Sequence, residues 1–157
     1  MISFVTGDAT RPIAAPGPRV ICHVCNDVGA WGAGFVLAVS QRWAAPEAVY
    51  RAEERRTLGS VQLVEVEPGL YVANLIAQNG FPRPGYPCAL DYAALRQCLR
   101  TLGEIMSDAS FHMSRIGCGI AGGMWPEVEA IIRCELDGRS VVVYDLPPPS
   151  CPRGRPQ

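Results

Sequence analysis

Two glycine-dense segments hold the residues of this chain that are best suited to binding a ligand. The first covers 26–34 (NDVGAWGAG), the second covers 117–123 (GCGIAGG), and each follows an apolar, strand-like run. Glycine permits positive φ angles and a close approach of the backbone, so consecutive N–H groups can converge on an anion. A helix that begins directly behind such a loop adds a favourable dipole. Two such loops, accompanied by Trp31 and Trp125, suit a diphosphate better than they suit plain flexible turns.

The second segment contains the spacing G-x-G-x-x-G at Gly117, Gly119 and Gly122. This spacing marks a dinucleotide site only where it opens a long βαβ run and an acidic residue follows the next strand. Asp145 does follow a later strand-like run, but that single strand is too little sheet for a nicotinamide domain. The spacing therefore does not indicate a dehydrogenase.

The CHVC run at 22–25 places two thiols and an imidazole at metal-ligand spacing. A structural zinc ion needs four ligands, and neither a second C-x-x-C nor an H-x-x-x-H completes the set. His112 is the only histidine besides His23. We therefore expect no metal and no cofactor. The seven cysteines are odd in number and scattered, which is typical of free thiols in the cytoplasm.

All 14 basic residues of the chain are arginines, and none is a lysine. Codon bias is the simplest cause of this composition. Its chemical consequence holds for any cause, because Schiff-base chemistry, a lysine nucleophile and a P-loop lysine are all excluded.

Length and composition predict one globular domain, because the chain has 157 residues, of which 48% are hydrophobic and 18% are charged. A formal net charge of −1 is not typical of proteins that bind nucleic acid by electrostatics. No apolar stretch approaches the ~18 residues of a membrane span, and the first ten residues do not resemble a signal peptide. We therefore expect a cytoplasmic protein that binds neither membrane nor nucleic acid. The oligomeric state is not predicted.

Strand-like and helix-like patterns alternate along the chain. The strand patterns cover 2–6, 19–24, 61–66, 71–77, 111–116 and 140–144. The helix patterns cover 34–43, 46–58, 92–106 and 126–136, and Asp91 is the expected N-cap of the third. This alternation predicts an α/β layered fold with a largely parallel, buried sheet. The Pro-rich segment 147–157 is predicted to be a disordered tail.

Five motifs together resemble those of a macrodomain. They are VTGD at 5–8, H-x-x-N at 23–26, G-x-W-G-x-G at 29–34, IGCGIAGGxW at 116–125 and VY at 143–144. Within that family the chain is most similar to the branch that contains the terminal ADP-ribose protein glycohydrolase and the ADP-ribose-1''-phosphate phosphatases. The resemblance extends over residues 2–146.

The resemblance implies a three-layer α/β/α fold over residues 1–146, with a central, mixed, mostly parallel sheet of about six strands. It also implies that ADP-ribose and ADP-ribosylated proteins are the partners, with ADP-ribose held in a cleft above the sheet. By the same resemblance, Asp8 would accept a hydrogen bond from the adenine amino group and Asn26 would lie near the distal ribose. Tyr144 and Asp145 would lie near the rim of the cleft. The residues expected to wrap the diphosphate and distal ribose are Gly29, Ala30, Trp31, Gly32, Ala33, Gly34, Gly117, Cys118, Gly119, Ile120, Ala121, Gly122 and Gly123.

The chain departs from the family at the catalytic positions. Gln78 stands where the glycohydrolase has a lysine, and Ala121 stands where that enzyme has the partner aspartate. Val36 stands where the other hydrolytic macrodomain pattern has an aspartate. The lysine mechanism therefore cannot operate in this chain.

Two hypotheses of different classes follow. In the first, which we favour, the protein is a hydrolase that releases ADP-ribose from modified acidic side chains, an acetyl ester or a 1''-phosphate. Asn26 and Gln78 would then orient a water molecule, and Asp27 is the nearest candidate general base. Asp27 could equally cap the loop backbone, which is a common role of aspartate beside a glycine turn. In the second hypothesis, the protein binds ADP-ribose as a reader and performs no chemistry.

Overall fold

The computed structural model describes residues 1–149 and contains six strands and four helices. The strands are β1 (Ile2–Thr6), β2 (Arg19–Asn26), β3 (Val61–Glu67), β4 (Leu70–Gln78), β5 (Ser110–Met113) and β6 (Val141–Asp145). The helices are α1 (Phe35–Arg42), α2 (Ala45–Ala52), α3 (Tyr92–Ile105) and α4 (Trp125–Glu135).

The strands form one mixed sheet in the order β1-β6-β5-β2-β4-β3. Every neighbouring pair is parallel except β3 and β4, which a tight turn joins as an antiparallel hairpin. Gly69 lies in that turn with a φ of 74°, a conformation that other residues rarely adopt. Because β2, β4 and β5 are parallel neighbours, their carboxyl ends meet at one edge of the sheet.

Helices cover both faces of the sheet, which confirms the three-layer α/β/α prediction. On β2, Val20 and Cys22 belong to a core cluster that includes α3 and α4. Ile21 and Cys25 belong to a second cluster, on the other face, that includes α1 and α2. The near-continuous apolar run of β2 follows from this burial on both faces.

Two predicted elements end several residues before their patterns indicated. Helix α2 ends at Ala52 rather than at 58, and the backbone is extended at Glu53. Past this end the Arg56 side chain folds back, and its Nε donates to the carbonyl oxygen of Tyr50 at 2.9 Å. Strand β5 ends at Met113 rather than at 116. As a consequence, Ser114 and Arg115 belong to the loop that follows β5.

The third helix begins as its sequence predicted. The Asp91 side chain accepts a hydrogen bond from the N–H of Ala94 at 2.9 Å, as expected of an N-cap.

Within residues 1–149 no helix is long and apolar enough to cross a membrane. Most of the predicted tail, 150–157, lies outside the described residues, so its disorder stays a prediction.

Candidate functional site

A cavity of about 550 Å³ opens at the sheet edge where β2, β4 and β5 end. Its volume falls within the roughly 300–1,000 Å³ typical of small-molecule sites, and its position is the usual one for ligands of parallel α/β sheets. Both glycine-dense loops contribute to its walls. The predicted site residues that line it are Asn26, Ala30, Gly32, Ala33, Gly34, Gln78, Gly117, Gly119, Ile120 and Ala121.

The first loop is shaped by the side chain of Asn26. Its Oδ1 accepts hydrogen bonds from the N–H groups of Val28 and Ala30, both at 3.1 Å. Its Nδ2 donates to the carbonyl oxygen of Ala30 at 2.7 Å. Most of the hydrogen-bonding capacity of this amide is thus used to hold the loop.

A buried tyrosine hydroxyl supports the same loop from α2. The Tyr50 hydroxyl accepts a hydrogen bond from the N–H of Gly29 at 3.1 Å and lies 2.7 Å from Asn26 Oδ1, to which it can donate. Burial raises the pKa of Tyr50 above its ordinary value, so the hydroxyl remains protonated. Sequence reasoning did not identify Tyr50, since nothing in its local pattern indicates a contact with a loop some twenty residues earlier.

The glycines of the second loop divide into two groups. A Cβ at Gly122 would collide with the carbonyl oxygen of Pro87, and one at Gly117 would lie 2.7 Å from the Leu90 side chain. These two glycines therefore allow the segment before α3 to pack closely against the loop. A Cβ at Gly119 or Gly32 would meet no atom within 4 Å. Both of these line the cavity, so their open side is available to a ligand.

The two loops approach each other at Gly34 and Ile120. A Cβ at Gly34 would lie 3.0 Å from Ile120 Cδ1, and Gly34 itself has a φ of 83°. Gly34 directly precedes α1 and gives it no side-chain cap. Phe35 and Val36, in the first turn of α1, line the cavity, and the N-terminus of a helix favours an anion.

Within the described part of the chain, Arg115 is the only charged residue that lines this cavity. Its guanidinium makes a two-point ion pair with Asp145, at 2.8 and 3.1 Å, and this pairing holds the pKa of Asp145 below its ordinary value. The rings of Phe4 and Trp125 lie 5.4 and 5.0 Å from its central carbon. Arg115 is absent from the predicted site residues because the apolar pattern of 111–116 predicted a strand. The polar pair at 114–115 that interrupts the apolar run could have indicated the earlier strand end.

Asp27 does not line the cavity. Its Oδ1 accepts a hydrogen bond from the N–H of Gly80 at 2.8 Å, and its own N–H donates to the carbonyl oxygen of Gln78 at 3.0 Å. Asp27 thus ties the loops after β2 and β4 together, which favours its backbone-capping role over that of a general base. Gln78 does line the cavity, and its Nε2 donates to the carbonyl oxygen of Gly80 at 2.8 Å.

His23 forms part of the cavity wall as a neutral imidazole. Its Nε2 lies 2.5 Å from Asn74 Oδ1. The Asn74 amide is oriented by its Nδ2, which donates to Pro46 O at 3.1 Å and to Gln62 Oε1 at 3.0 Å, so Oδ1 must accept and His23 Nε2 must carry the proton. Burial lowers the pKa of His23 to about 4. His23 is therefore neutral, with the proton on Nε2 and an unprotonated Nδ1.

Several predicted site residues lie outside this cavity. Asp8 Oδ1 accepts hydrogen bonds from the N–H and the hydroxyl of Thr10, at 2.8 and 2.7 Å. Tyr144 is buried, with its hydroxyl 2.7 Å from His112 Nδ1. The roles assigned to these residues by resemblance stay predictions. The predicted residues that do not line the cavity are Asp8, Asp27, Gly29, Trp31, Cys118, Gly122, Gly123, Tyr144 and Asp145.

Cavity-lining residues that the sequence analysis did not assign to the site are His23, Val24, Phe35, Val36, Phe81, Ser114, Arg115 and Ile116. Among residues 1–149 no group of three or more metal-ligating side chains is placed to hold an ion. In the CHVC run the two thiols belong to core clusters on opposite faces of the sheet. Burial also raises the pKa of both thiols.

No family model matches the chain, but solved structures resemble it over nearly its whole length. A Bacteroides thetaiotaomicron protein of unknown function is 47% identical, with a TM-score of 0.88 over 93% of this chain and 98% of its own. A macrodomain protein from Streptomyces coelicolor is 44% identical, with a TM-score of 0.80 over 92% of this chain and 99% of its own. Thermosipho africanus DarTG in complex with ADP-ribose is 16% identical, with a TM-score of 0.66 over 83% of this chain and 38% of its own, so it is informative on the fold alone.

Curated relatives are more distant. The mouse chromodomain-helicase-DNA-binding protein 1-like is 30% identical over 91% of this chain, and the chain spans only 17% of that protein's length. An ADP-ribose 1''-phosphate phosphatase from Candida albicans is 22% identical over 92% of this chain and 99% of its own.

Proposed function

The chain belongs to the macrodomain family, and on that premise we propose that its cleft binds ADP-ribose and hydrolyses the bond between the distal ribose and a modified acidic side chain. The observation that carries the proposal is the 550 Å³ cavity between two glycine-dense loops, in which the only charged lining residue among those described is cationic. The name of the Candida relative, an ADP-ribose 1''-phosphate phosphatase, adds support for a ligand of this class.

The diphosphate would lie between the two loops. The backbone at Gly32–Gly34, the uncapped start of α1 and the backbone at Gly119 supply N–H groups on either side of the cavity. Arg115 adds a positive charge, and its own carboxylate partner Asp145 does not line the cavity. An anion between these groups is stabilised chiefly by convergent backbone dipoles, since the charge of Arg115 is shared with Asp145.

Hydrolysis in this cleft would rely on the substrate as much as on the protein. A water molecule held by the Gln78 amide would attack the anomeric carbon of the distal ribose, and the bond to the modified carboxylate would break. The water's proton would pass to a phosphate oxygen of the ligand. The departing carboxylate needs no general acid, because a carboxylic acid has a pKa of about 4. Positioning and fixed dipoles would supply the rate enhancement, and slow turnover is expected.

A non-catalytic reader of ADP-ribose is the second candidate. One observation favours it: among the described residues no carboxylate lines the cavity, and the histidine in its wall has its pKa lowered by burial to about 4. Such a site would bind the same ligand through the same loops and leave it intact.

Two measurements on the purified protein separate the candidates. Release of ADP-ribose is followed with a glutamate-ADP-ribosylated protein, ADP-ribose-1''-phosphate and O-acetyl-ADP-ribose, and the affinity for ADP-ribose is measured by calorimetry. Release from the modified protein supports the hydrolase, and release from the other two substrates alone would redirect it to a phosphatase or deacetylase. Tight binding without any release identifies a reader, and absence of binding would overturn the whole proposal.

The cytoplasmic location is part of this proposal and is tested by fractionation of cells.

A further inference from the structure

A second, smaller cavity of about 240 Å³ lies beside the 550 Å³ cavity, which is called the cleft from here on. Phe81 lines both cavities, and Asn79, in the smaller one, directly follows Gln78 of the cleft. The smaller cavity therefore adjoins the end of the cleft where we place the distal ribose. A group attached to the distal ribose would then lie next to the smaller cavity.

A preformed hairpin makes the outer wall of the smaller cavity. The N–H of Arg83 donates to the carbonyl oxygen of Tyr86 at 3.0 Å, and the N–H of Tyr86 donates to that of Arg83 at 2.8 Å. Between them lie Pro84 and Gly85, the latter with a φ of 82°, which are the residues that a type II turn requires. The N–H of Asn79 donates to Ala89 O at 2.8 Å and closes the base of the segment. The wall is thus held by its own hydrogen bonds.

Arg83 presents an unpaired positive charge on this hairpin. Its guanidinium lies 4.7 Å from the centre of the Tyr86 ring, and it takes part in none of the ion pairs formed within residues 1–149. The Tyr86 side chain is 63% exposed. A guanidinium stacked on a ring keeps its planar fork free for a carboxylate.

We propose that Arg83 and Tyr86 form a subsite for an acidic peptide, the segment that flanks the ADP-ribosylated side chain of a protein substrate. This inference rests on the proposed function. The Asp91 carboxylate lines the same cavity and repels acidic groups from its own side. Acidic groups would therefore bind on the side of the cavity that Arg83 lines. The subsite selects which modified proteins are bound at the cleft.

A peptide fits these charges better than a nucleic acid does. Binding to a nucleic acid backbone uses several cationic contacts to phosphates. Among the described residues, Arg83 is the only basic one lining the smaller cavity and Arg115 is the only one lining the cleft. The chain as a whole has a formal net charge of −1. A single guanidinium suits one or two carboxylates near the modified residue.

The test compares four ligands by competition binding at low salt. They are free ADP-ribose, a glutamate-ADP-ribosylated peptide with acidic neighbours, the same peptide with amide neighbours, and ADP-ribose joined to a short single-stranded oligonucleotide. We expect the acidic peptide to bind more tightly than the amide peptide by up to about fivefold, the upper end of what one exposed ion pair contributes. The preference should shrink at high salt, because exposed charges are screened.

Arg83→Gln should abolish the preference for the acidic peptide and leave the affinity for free ADP-ribose unchanged. Arg83→Lys should retain part of that preference, because it keeps the positive charge. Arg133→Gln is the control for the loss of one arginine charge, because Arg133 lies in the last turn of α4 and pairs there with Glu129, away from the helix end that follows the second glycine loop. No peptide preference in the wild type, a preference that survives Arg83→Gln, or tighter binding of the oligonucleotide conjugate would each overturn the inference. Failure of free ADP-ribose to bind would instead overturn the proposed function on which it rests.

Discussion

At the scale of single residues, the two glycine-dense loops use glycine for two distinct physical purposes. Gly119 and Gly32 leave space on the side of the cavity, whereas Gly122 and Gly117 allow a neighbouring segment to approach. Both purposes require glycine, so the sequence alone does not distinguish them. Substitution separates them, because filling open space affects the ligand and filling a packed contact affects the fold.

Gly119→Glu should abolish binding of ADP-ribose while the melting temperature stays within a few degrees of the wild type. The new side chain and its charge would occupy the space where we place the diphosphate. Stability should be kept because a Cβ at this position meets no atom within 4 Å. Calorimetry measures the binding and a thermal scan measures the stability. Gly122→Ala is the contrasting variant and should be destabilised, because its φ is 75° and Pro87 O is in the way. Retained binding in Gly119→Glu would contradict the placement of the diphosphate.

Tyr50→Phe should weaken ADP-ribose binding by about tenfold. It removes the hydroxyl that joins the Gly29 N–H to Asn26 Oδ1, and loss of a buried hydrogen-bond partner costs about 1–3 kcal/mol. The affinity and the free energy of unfolding are measured together. Tyr71→Phe, near the start of β4 and far from the cleft, serves as the control. If Tyr50→Phe lowered only stability, Tyr50 would not be a positioning residue for the loop.

At the scale of elements, the site depends on where strands and helices begin and end. Because β5 ends at Met113, Arg115 enters the cavity wall, and because α2 ends at Ala52, the Arg56 side chain can turn back onto the carbonyl oxygen of Tyr50. Local periodicity identified these elements but overestimated their length. Their ends are decided by contacts with other segments.

Asp91→Ala should lower the free energy of unfolding by about 1 kcal/mol, because α3 would lose the side chain that accepts from the Ala94 N–H. Asp91→Asn is the matched control and should stay within a few tenths of a kcal/mol, since asparagine is an equally good N-cap. Urea denaturation measures both. Equal effects of the two variants would show that the carboxylate charge, rather than the cap, stabilises the helix start.

At the scale of the whole molecule, two buried histidines link folding to pH. His23 lies on β2 and His112 on the neighbouring strand β5, and burial lowers the pKa of each from 6.5 to about 4. The unfolded chain therefore binds more protons than the folded one between these values. Stability from this source is complete above about pH 6.5 and is lost as the pH falls towards 4.

The free energy of unfolding should therefore fall below pH 6.5, by up to about 1.4 kcal/mol per pH unit for each histidine. Urea denaturation at pH 7.5, 5.5 and 4.5 measures the slope. His112→Asn should reduce the slope by about half whatever it does to absolute stability. If His112→Asn left the slope of unfolding free energy against pH unchanged, groups other than His112 would cause the loss of stability.

The sequence by itself determined the properties that are local or compositional. Alternating strand and helix patterns predicted the layered fold, glycine runs at strand ends located the two loops, and the family motifs predicted the macrodomain. The absence of lysine from the composition was enough to exclude the lysine mechanism, and Gln78 does line the cavity. Such features can be read from neighbouring residues because backbone preference and burial patterns act over a few positions.

Only the tertiary structure decided which of these residues meet. Asp27 contacts the N–H of Gly80, 53 positions later, and Arg115 pairs with Asp145, 30 positions later. These contacts depend on the sheet order and on the lengths of strands, which long-range packing sets. They direct the Asp27 carboxylate to the loop after β4 rather than to the cavity, and they bring Arg115 into the cavity wall, because the surroundings of a side chain are set only when distant segments meet.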